Sequence, residues 1–165
     1  MNLDDTIAAV ATARGGARGI VRLSGPGTRG VLGSVCIGID VDEANGRPVG
    51  RWRVRLGGAV LPATGMVFRG PRSFTGQDSA ELVTVGNQVV LERVLDAVVS
   101  AGARRATPGE FSARAYLNGK LTLAEAEGLA ARIAATRDTE LAAAERVRSG
   151  AFGERCDGWA GRLAG

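Results

Sequence analysis

The chain contains no histidine, and its single lysine, Lys120, stands beside twenty arginines. The missing histidine excludes imidazole acid–base chemistry and most zinc or iron sites. The two cysteines, Cys36 and Cys156, lie far apart with no Cys-x-x-Cys spacing. They read as buried or idle thiols of a cytosolic chain. Only seven of the 165 residues are aromatic, so Val, Leu, Ile and Ala must fill the core. No apolar run reaches transmembrane length. The start, Met1-Asn2-Leu3-Asp4-Asp5, is acidic and lacks the apolar stretch of a secretory signal, so the expected location is cytoplasmic.

The remaining composition suits one domain, or one domain with an appendage. Hydrophobic residues make up 45%, which is enough for a core. The 25 glycines gather in loops and form no repeat. A net charge of +4 with a pI near 10 is mildly basic and is not by itself a nucleic-acid signature. Arg51, Arg53 and Arg55 alternate, so a strand would put them on one face. That face is either solvated or turned toward RNA. A lone Lys among arginines suggests a task for a compact point charge on a flexible stem, which the planar Arg fork cannot perform.

Periodicity outlines the elements. Thr6–Thr12 and Ile20–Ser24 read as strands, and Thr28 is expected to cap a short helix reaching about Ile37. The polar stretch Asp40–Gly50 reads as loop. Trp52–Val60 and Thr64–Phe68 alternate like two strands of a meander. Gly70–Gly76 is rich in turn residues, and Ala80–Val85 is a further strand. Gln88–Ser100 carries Val89, Leu91, Val94, Leu95 and Val98 on one broad helical face.

Two capping boxes follow. Thr107-x-x-Glu110, with Pro108 at the first helical position, predicts a helix that Asn118-Gly119 ends. Thr122-x-x-Glu125 predicts a long helix running past Val147 toward Gly150, with near-heptad apolar spacing. Ala151–Leu163 reads as a further amphipathic segment. Lys120 thus lies at a sharp junction between two capped helices. The apolar stripe of the long helix needs a partner to cover it.

Four sequence blocks stand in one order. They are Asp5-Thr6-Ile7-Ala8-Ala9; Gly19-Ile20-Val21-Arg22-Leu23-Ser24-Gly25-Pro26; Gly70-Pro71-Arg72-Ser73-Phe74-Thr75-Gly76-Gln77-Asp78 with Glu81-Leu82; and Pro108-Gly109-Glu110-Phe111-Ser112 through Ala115-Tyr116-Leu117-Asn118-Gly119-Lys120-Leu121, followed by Ala124-Glu125-Ala126-Glu127. With these blocks the chain resembles, over roughly residues 4–150, the N-terminal part of the tRNA modification GTPases of the TrmE/MnmE family.

The resemblance implies an α+β fold: a small mixed sheet with packed helices, like the folate-binding aminomethyltransferases, followed by a long C-terminal helix. It implies a folate-binding and dimerisation domain over 1–120 and the beginning of a helical domain over 121–165. It also implies a tetrahydrofolate derivative (formyl or methylene) as cofactor and a homodimer. An MnmG-type flavoprotein and tRNA would be partners of the full-length enzyme. The folate would supply one carbon for modification of the wobble uridine.

By position, the family's folate contacts fall on Arg22, Glu81 and Lys120. A carboxylate such as Glu81 suits the amino and ring N–H edge of a pterin. Arg22 and Lys120 suit the carboxylates of the folate tail or polar ring atoms. Phe74, Phe111 or Tyr116 offers a surface for a flat ring or packs in the core.

The chain departs from the family pattern in several places. Gln77 stands in Gly76-Gln77-Asp78 where the family usually has Glu. Val85-Gly86-Asn87 stands where it usually has His-Gly-Gly. There is no P-loop, since Gly119-Lys120 is followed by Leu121 and Arg114 sits five residues before Gly119. The family's C-terminal Cys-x-Gly-Lys tail is also missing. The chain as given is therefore expected to hydrolyse no GTP and to complete no tRNA modification alone. Three other readings stay open: an assembly module that has lost folate, a one-carbon transfer enzyme using Asp78 or Glu81, and RNA binding through Arg51, Arg53 and Arg55.

Overall fold

Alternation of apolar and polar residues over the first hundred positions builds a mixed sheet. A computed structural model describes residues 2–12, 15–38 and 49–148. The chain divides into two compact units, Met1–Pro108 and Gly109–Gly165.

In the first unit the described strands are β1 (Ile7–Val10), β2 (Arg18–Ser24), β3 (Cys36–Ile37), β4 (Val49–Leu56), β5 (Ala59–Phe68), β6 (Ser79–Val85) and β7 (Arg104–Arg105). Helix α1 (Thr28–Val35) follows β2, and α2 (Gln88–Ser100) follows β6. The strand order is β3-β4-β5-β6-β2-β1-β7. Neighbours are antiparallel except β1 and β7, which are parallel. The α+β class expected from the sequence is observed.

One sheet face is the core. A period of two turns Val21 and Leu23 of β2, Ala80 and Leu82 of β6, and Trp52 and Val54 of β4 to the same side. There they bury against Val31, Leu32 and Val35 of α1 and Leu91, Val94, Leu95 and Val98 of α2. The α2 residues recur at i, i+3, i+4 and i+7, the spacing of one helical stripe. Burying each such side chain stabilises the fold by roughly 1.5–3 kcal/mol. Gly65 of β5 makes room for the Trp52 indole, since a Cβ there would fall 1.6 Å from a ring carbon.

Several boundaries differ from expectation for local reasons. The meander breaks at Gly57-Gly58, where Leu56 faces Ala59 across a two-residue turn and Gly57 takes φ +65°. Helix α1 stops at Val35 because Cys36 and Ile37 leave it to pair with Val54 and Arg53. Thr28 is not its cap. Gly27 holds that position, and the Thr28 hydroxyl donates to the carbonyls of Gly25 and Asp78 instead. The pair Arg104-Arg105 is a strand edge: Arg104 N–H donates to Thr6 O and Ala106 N–H to Ala8 O. The loop expected over Asp40–Gly50 lies outside the described residues except for Val49 and Gly50, which are strand.

The described part of the second unit is helical: α3 (Glu110–Leu117), α4 (Leu123–Ala134) and α5 (Asp138–Arg148). The helix expected to begin with Pro108 at its first position begins two residues later, at Glu110. Gly109 is the N-cap, in left-handed conformation at φ +79°. Glu110 is therefore the first helical residue, and its buried carboxylate meets Arg114 one turn on at 3.3 Å. The box at Thr122 and Glu125 forms in both directions.

The stretch expected as one long helix is two. Thr136 donates through its N–H and its hydroxyl to Glu140, starting a new helix after Ala135 takes extended backbone. Arg132 and Glu145 form an ion pair at 3.8 Å. Along one continuous helix they would be ~20 Å apart at 1.5 Å per residue, so α5 doubles back along α4. The segment Ala151–Leu163 lies outside the described residues.

Candidate functional site

Among the described residues, the helices of the first unit pack on the core face and none lies on the second face of the sheet. Along β2 this face shows Arg18, Ile20, Arg22 and Ser24, and along β6 it shows Ser79, Glu81, Val83 and Val85. The two sets are brought opposite one another by the β2–β6 register. Arg22 and Glu81 are direct cross-strand partners. The Arg22 Nε and one terminal nitrogen both donate to Glu81 Oε1, at 2.9 and 2.8 Å. The Glu81 side chain is 16% exposed and that of Arg22 35%. The carboxylate thus sits half-withdrawn from water with its charge matched, and Oε2 lies outside this contact.

The loop between β5 and β6 closes one end of this face. Ser24 and Ser79 lie on the same face as Arg22 and Glu81, each two residues away. Both are buried and hydrogen-bonded to Thr75 of the loop, at 2.6 and 3.3 Å. Asp78 anchors the loop. Its Oδ1 accepts from Gly70 N–H at 2.9 Å, its Oδ2 pairs with Arg29 at 3.4 Å, and its carbonyl accepts from Gly25 N–H. Gln77 Nε2 donates to Leu3 O, and Ser73 Oγ donates to Gln77 O. Phe74 remains 44% exposed. Three of the four sequence blocks therefore meet at this end of the sheet.

Lys120 belongs to the second unit. Its backbone N–H donates to Ala115 O, and Gly119 N–H donates to Tyr116 O. With Gly119 at φ +66°, this is the double bond of a Schellman motif. The side chain is exposed, and its ammonium has no partner among the described residues. Tyr116 is 42% exposed on the same helix end, whereas Phe111 is half-buried.

The turn that departs from the family pattern has a local use. Asn87 Oδ1 accepts from Val89 N–H and Val90 N–H, capping α2. Gly86 packs against the Gly16 carbonyl, which a Cβ would approach to 1.8 Å. Cys36 is buried, and that burial pushes its thiol up to about 12 against the pull of Arg55. It carries no thiolate at neutral pH. Arg51, Arg53 and Arg55 are exposed on one side of β4, and Arg55 donates to Ser34 O at 3.2 Å.

Sequence reasoning did not single out the Ser24–Thr75–Ser79 network, the Arg29–Asp78 pair or the buried Glu110–Arg114 pair. The last was legible as an i, i+4 pair of opposite charges. The first two join residues about fifty positions apart, and no local pattern marks them.

A family described as the GTP-binding protein TrmE N-terminus matches residues 6–120. The chain is 43% identical over 172 residues to a tRNA modification GTPase MnmE of Thermus thermophilus, covering 99% of the chain and 39% of that protein. It is 45% identical over 161 residues to the protein of the same name from a Roseiflexus species, covering 91% of the chain and 33% of the relative. With the Halorhodospira halophila protein of that name it shares 42% over 160 residues, covering 96% of the chain and 34% of the relative. The chain spans between a third and two fifths of the length of these relatives. A match over most of the chain, joined to identities of this size, means that it belongs to the TrmE N-terminus family.

Proposed function

We propose that the chain is the tetrahydrofolate-binding part of a tRNA-modifying GTPase of the MnmE kind, serving wobble-uridine modification. The observation that carries this reading is the Arg22–Glu81 pair on the sheet face opposite the core, closed at one end by the anchored 70–78 loop. The residues present fit a reduced pterin. Glu81 is a half-buried carboxylate with an oxygen left over for the amino and ring N–H donors of a pterin edge. Arg22 orients that carboxylate through two hydrogen bonds to Oε1. Phe74 offers an exposed ring at the closed end.

When bound, the folate supplies the one-carbon unit. The chain's own residues bind and orient it. Lys120 enters through the match of its block to the family, as a cation for an anionic group of the cofactor. The homodimer, the flavoprotein partner of the MnmG type and a cytoplasmic setting belong to the same proposal. No helix among the described residues is long and apolar enough to cross a membrane.

One observation favours a second reading, an assembly module without folate: Asn87, in the altered turn, is committed to capping α2. Isothermal titration with 5-formyl-tetrahydrofolate decides between them. Saturable heat that weakens in Lys120→Ala supports the first reading. Absence of heat at high micromolar ligand, with the protein folded by circular dichroism, leaves the second.

A further inference from the structure

The half of the second sheet face away from the 70–78 loop differs in charge from the half around Glu81. It holds a cleft of about 450 Å³ whose lining includes Arg18 of β2, Arg51 of β4, and Pro62, Thr64, Val83 and Val85 between them. Arg53 lies two residues along β4 on the same side, ~6.7 Å from Arg51 by strand rise. The β2 and β4 backbones are three strand spacings apart, or ~14 Å. Two cationic walls thus flank a floor of Val83, Pro62, Val85 and the Thr64 hydroxyl.

Arg22, Arg29, Arg104, Arg105, Arg114 and Arg132 all have carboxylate partners. Arg18, Arg51 and Arg53 are exposed and have none among the described residues. Across β2, β4, β5 and β6 the one acidic residue is Glu81, and Arg22 neutralises it. Among the described residues no Asp or Glu lines the cleft. Arg55, which the sequence groups with Arg51 and Arg53, is drawn off to the Ser34 carbonyl. The cationic set is therefore Arg18, Arg51 and Arg53, a grouping that only the strand order creates.

We infer that this cleft holds a segment of RNA strand, with Arg18 on one side and Arg51 and Arg53 on the other gripping backbone phosphates. Guanidinium forks match phosphate oxygens bidentately. Between them the pleat turns the Thr64 hydroxyl and otherwise apolar side chains to this face, while Trp52, Ala63 and Thr84 of the lining belong to the core side. This floor can lie against base faces but offers almost no hydrogen bonds for reading base edges, so binding tolerates sequence. RNA is chosen over other polyanions through the proposed role in tRNA modification. The cleft itself does not depend on the folate reading.

The test is filter binding of an unmodified tRNA transcript to the whole chain across a salt series. Three phosphate contacts predict a slope of about −2 in log K against log salt, at roughly −0.7 per contact. Arg18→Gln/Arg51→Gln should weaken binding about tenfold or more at low salt and cut the slope to about −0.7. The charge-matched control Arg93→Gln/Arg137→Gln should leave both unchanged, and poly-L-glutamate should bind the cleft variant and the parent alike. Formyl-tetrahydrofolate titration should be the same in parent and cleft variant, which separates failure here from failure of the folate reading. An unaltered slope in the cleft variant overturns the assignment. So does equal loss of tRNA and polyglutamate binding, or a change of oligomeric state in the cleft variant without loss of RNA.

Discussion

Replacing Glu81 with Gln separates the structural from the ligand-binding role of the Arg22–Glu81 pair, because the two roles have different magnitudes. In the folded chain the pair is partly open to water, with Arg22 35% and Glu81 16% exposed. Pairs at that exposure contribute ~1 kcal/mol or less, and the Gln amide oxygen still accepts from Arg22. The melting temperature should fall by no more than a few degrees, at about 4–8 °C per kcal/mol for a small domain. Binding is affected more strongly. A pterin edge that donates to a carboxylate makes charge-assisted hydrogen bonds worth ~1.5–3 kcal/mol, and Gln supplies one oxygen without charge. At 1.4 kcal/mol per decade, Kd for formyl-tetrahydrofolate should rise roughly 10- to 150-fold. Calorimetric titration and thermal unfolding of the same preparation read both quantities. A Glu81→Gln protein that binds as tightly as the parent would falsify the assignment of this carboxylate to the cofactor.

Three further outcomes follow from the packing and the titrating groups. Gly65→Ala should cost about 3 kcal/mol or more, because its Cβ would overlap the Trp52 ring at 1.6 Å. Adding Trp52→Leu should recover part of that loss, and chemical denaturation of the double-mutant cycle shows whether the costs fail to add. Cys36 should resist an aromatic disulfide reagent at pH 8 in a Cys156→Ser background and react once the protein unfolds. A thiol pushed up to about 12 by burial is thiolate in only roughly one molecule in 10⁴ at that pH. Its raised value also means that its stabilising contribution is complete below the ordinary thiol range and drains away as pH rises from 9 toward 12. Cys36→Ala should flatten that alkaline fall. Glu140 behaves oppositely. Hydrogen bonds from the Thr136 N–H and then its hydroxyl hold its carboxyl below the usual range. The cap on α5 is therefore intact above the ordinary Glu range and is lost as pH falls through the depressed value. The Thr136 amide resonance should follow that titration and should stop doing so in Glu140→Gln.

How much of this was legible in the sequence depends on the distance between the residues involved. The extent of α2, from Gln88 to Ser100, was readable to the residue, because its stripe repeats within seven positions and Asn87 sits at its start. The Thr122–Glu125 box was readable for the same reason. Thr107–Glu110 has the same letters, yet the helix does not start where they place it. Gly109 between them takes φ +79°, moving Glu110 from third to first helical position, one turn before its partner Arg114. The letters of a capping box fix a helix start only if the backbone between them is helical. The break at Thr136 left one mark, Arg137 interrupting the apolar stripe between Ile133 and Leu141, and the near-heptad spacing on either side of it reads as one helix. The Thr136–Glu140 contact that starts a second helix spans four residues, one more than the box.

The site shows the same division on a longer scale. Arg22 and Glu81 were named one by one through their blocks, and nothing in either block says that they touch. Their contact comes from the pairing of β2 with β6, 59 residues apart in the chain. A register slip of one residue would turn Glu81 into the core. That register is held at one end by the Ser24–Thr75–Ser79 bonds and along its length by Leu23, Leu82 and Ala80 packing inward. The electrostatics of the face therefore depend on core residues that carry no charge. The same pairing neutralises Arg22 and leaves Arg18, farther along the same face of β2 and opposite Val85, with no carboxylate to meet among the described residues. A strand partner with an acid at position 85 would have closed that half of the face as well. Because Val85 is there instead, the cation at 18 stays open toward Arg51, and the sheet keeps a matched half and an unmatched half on one surface.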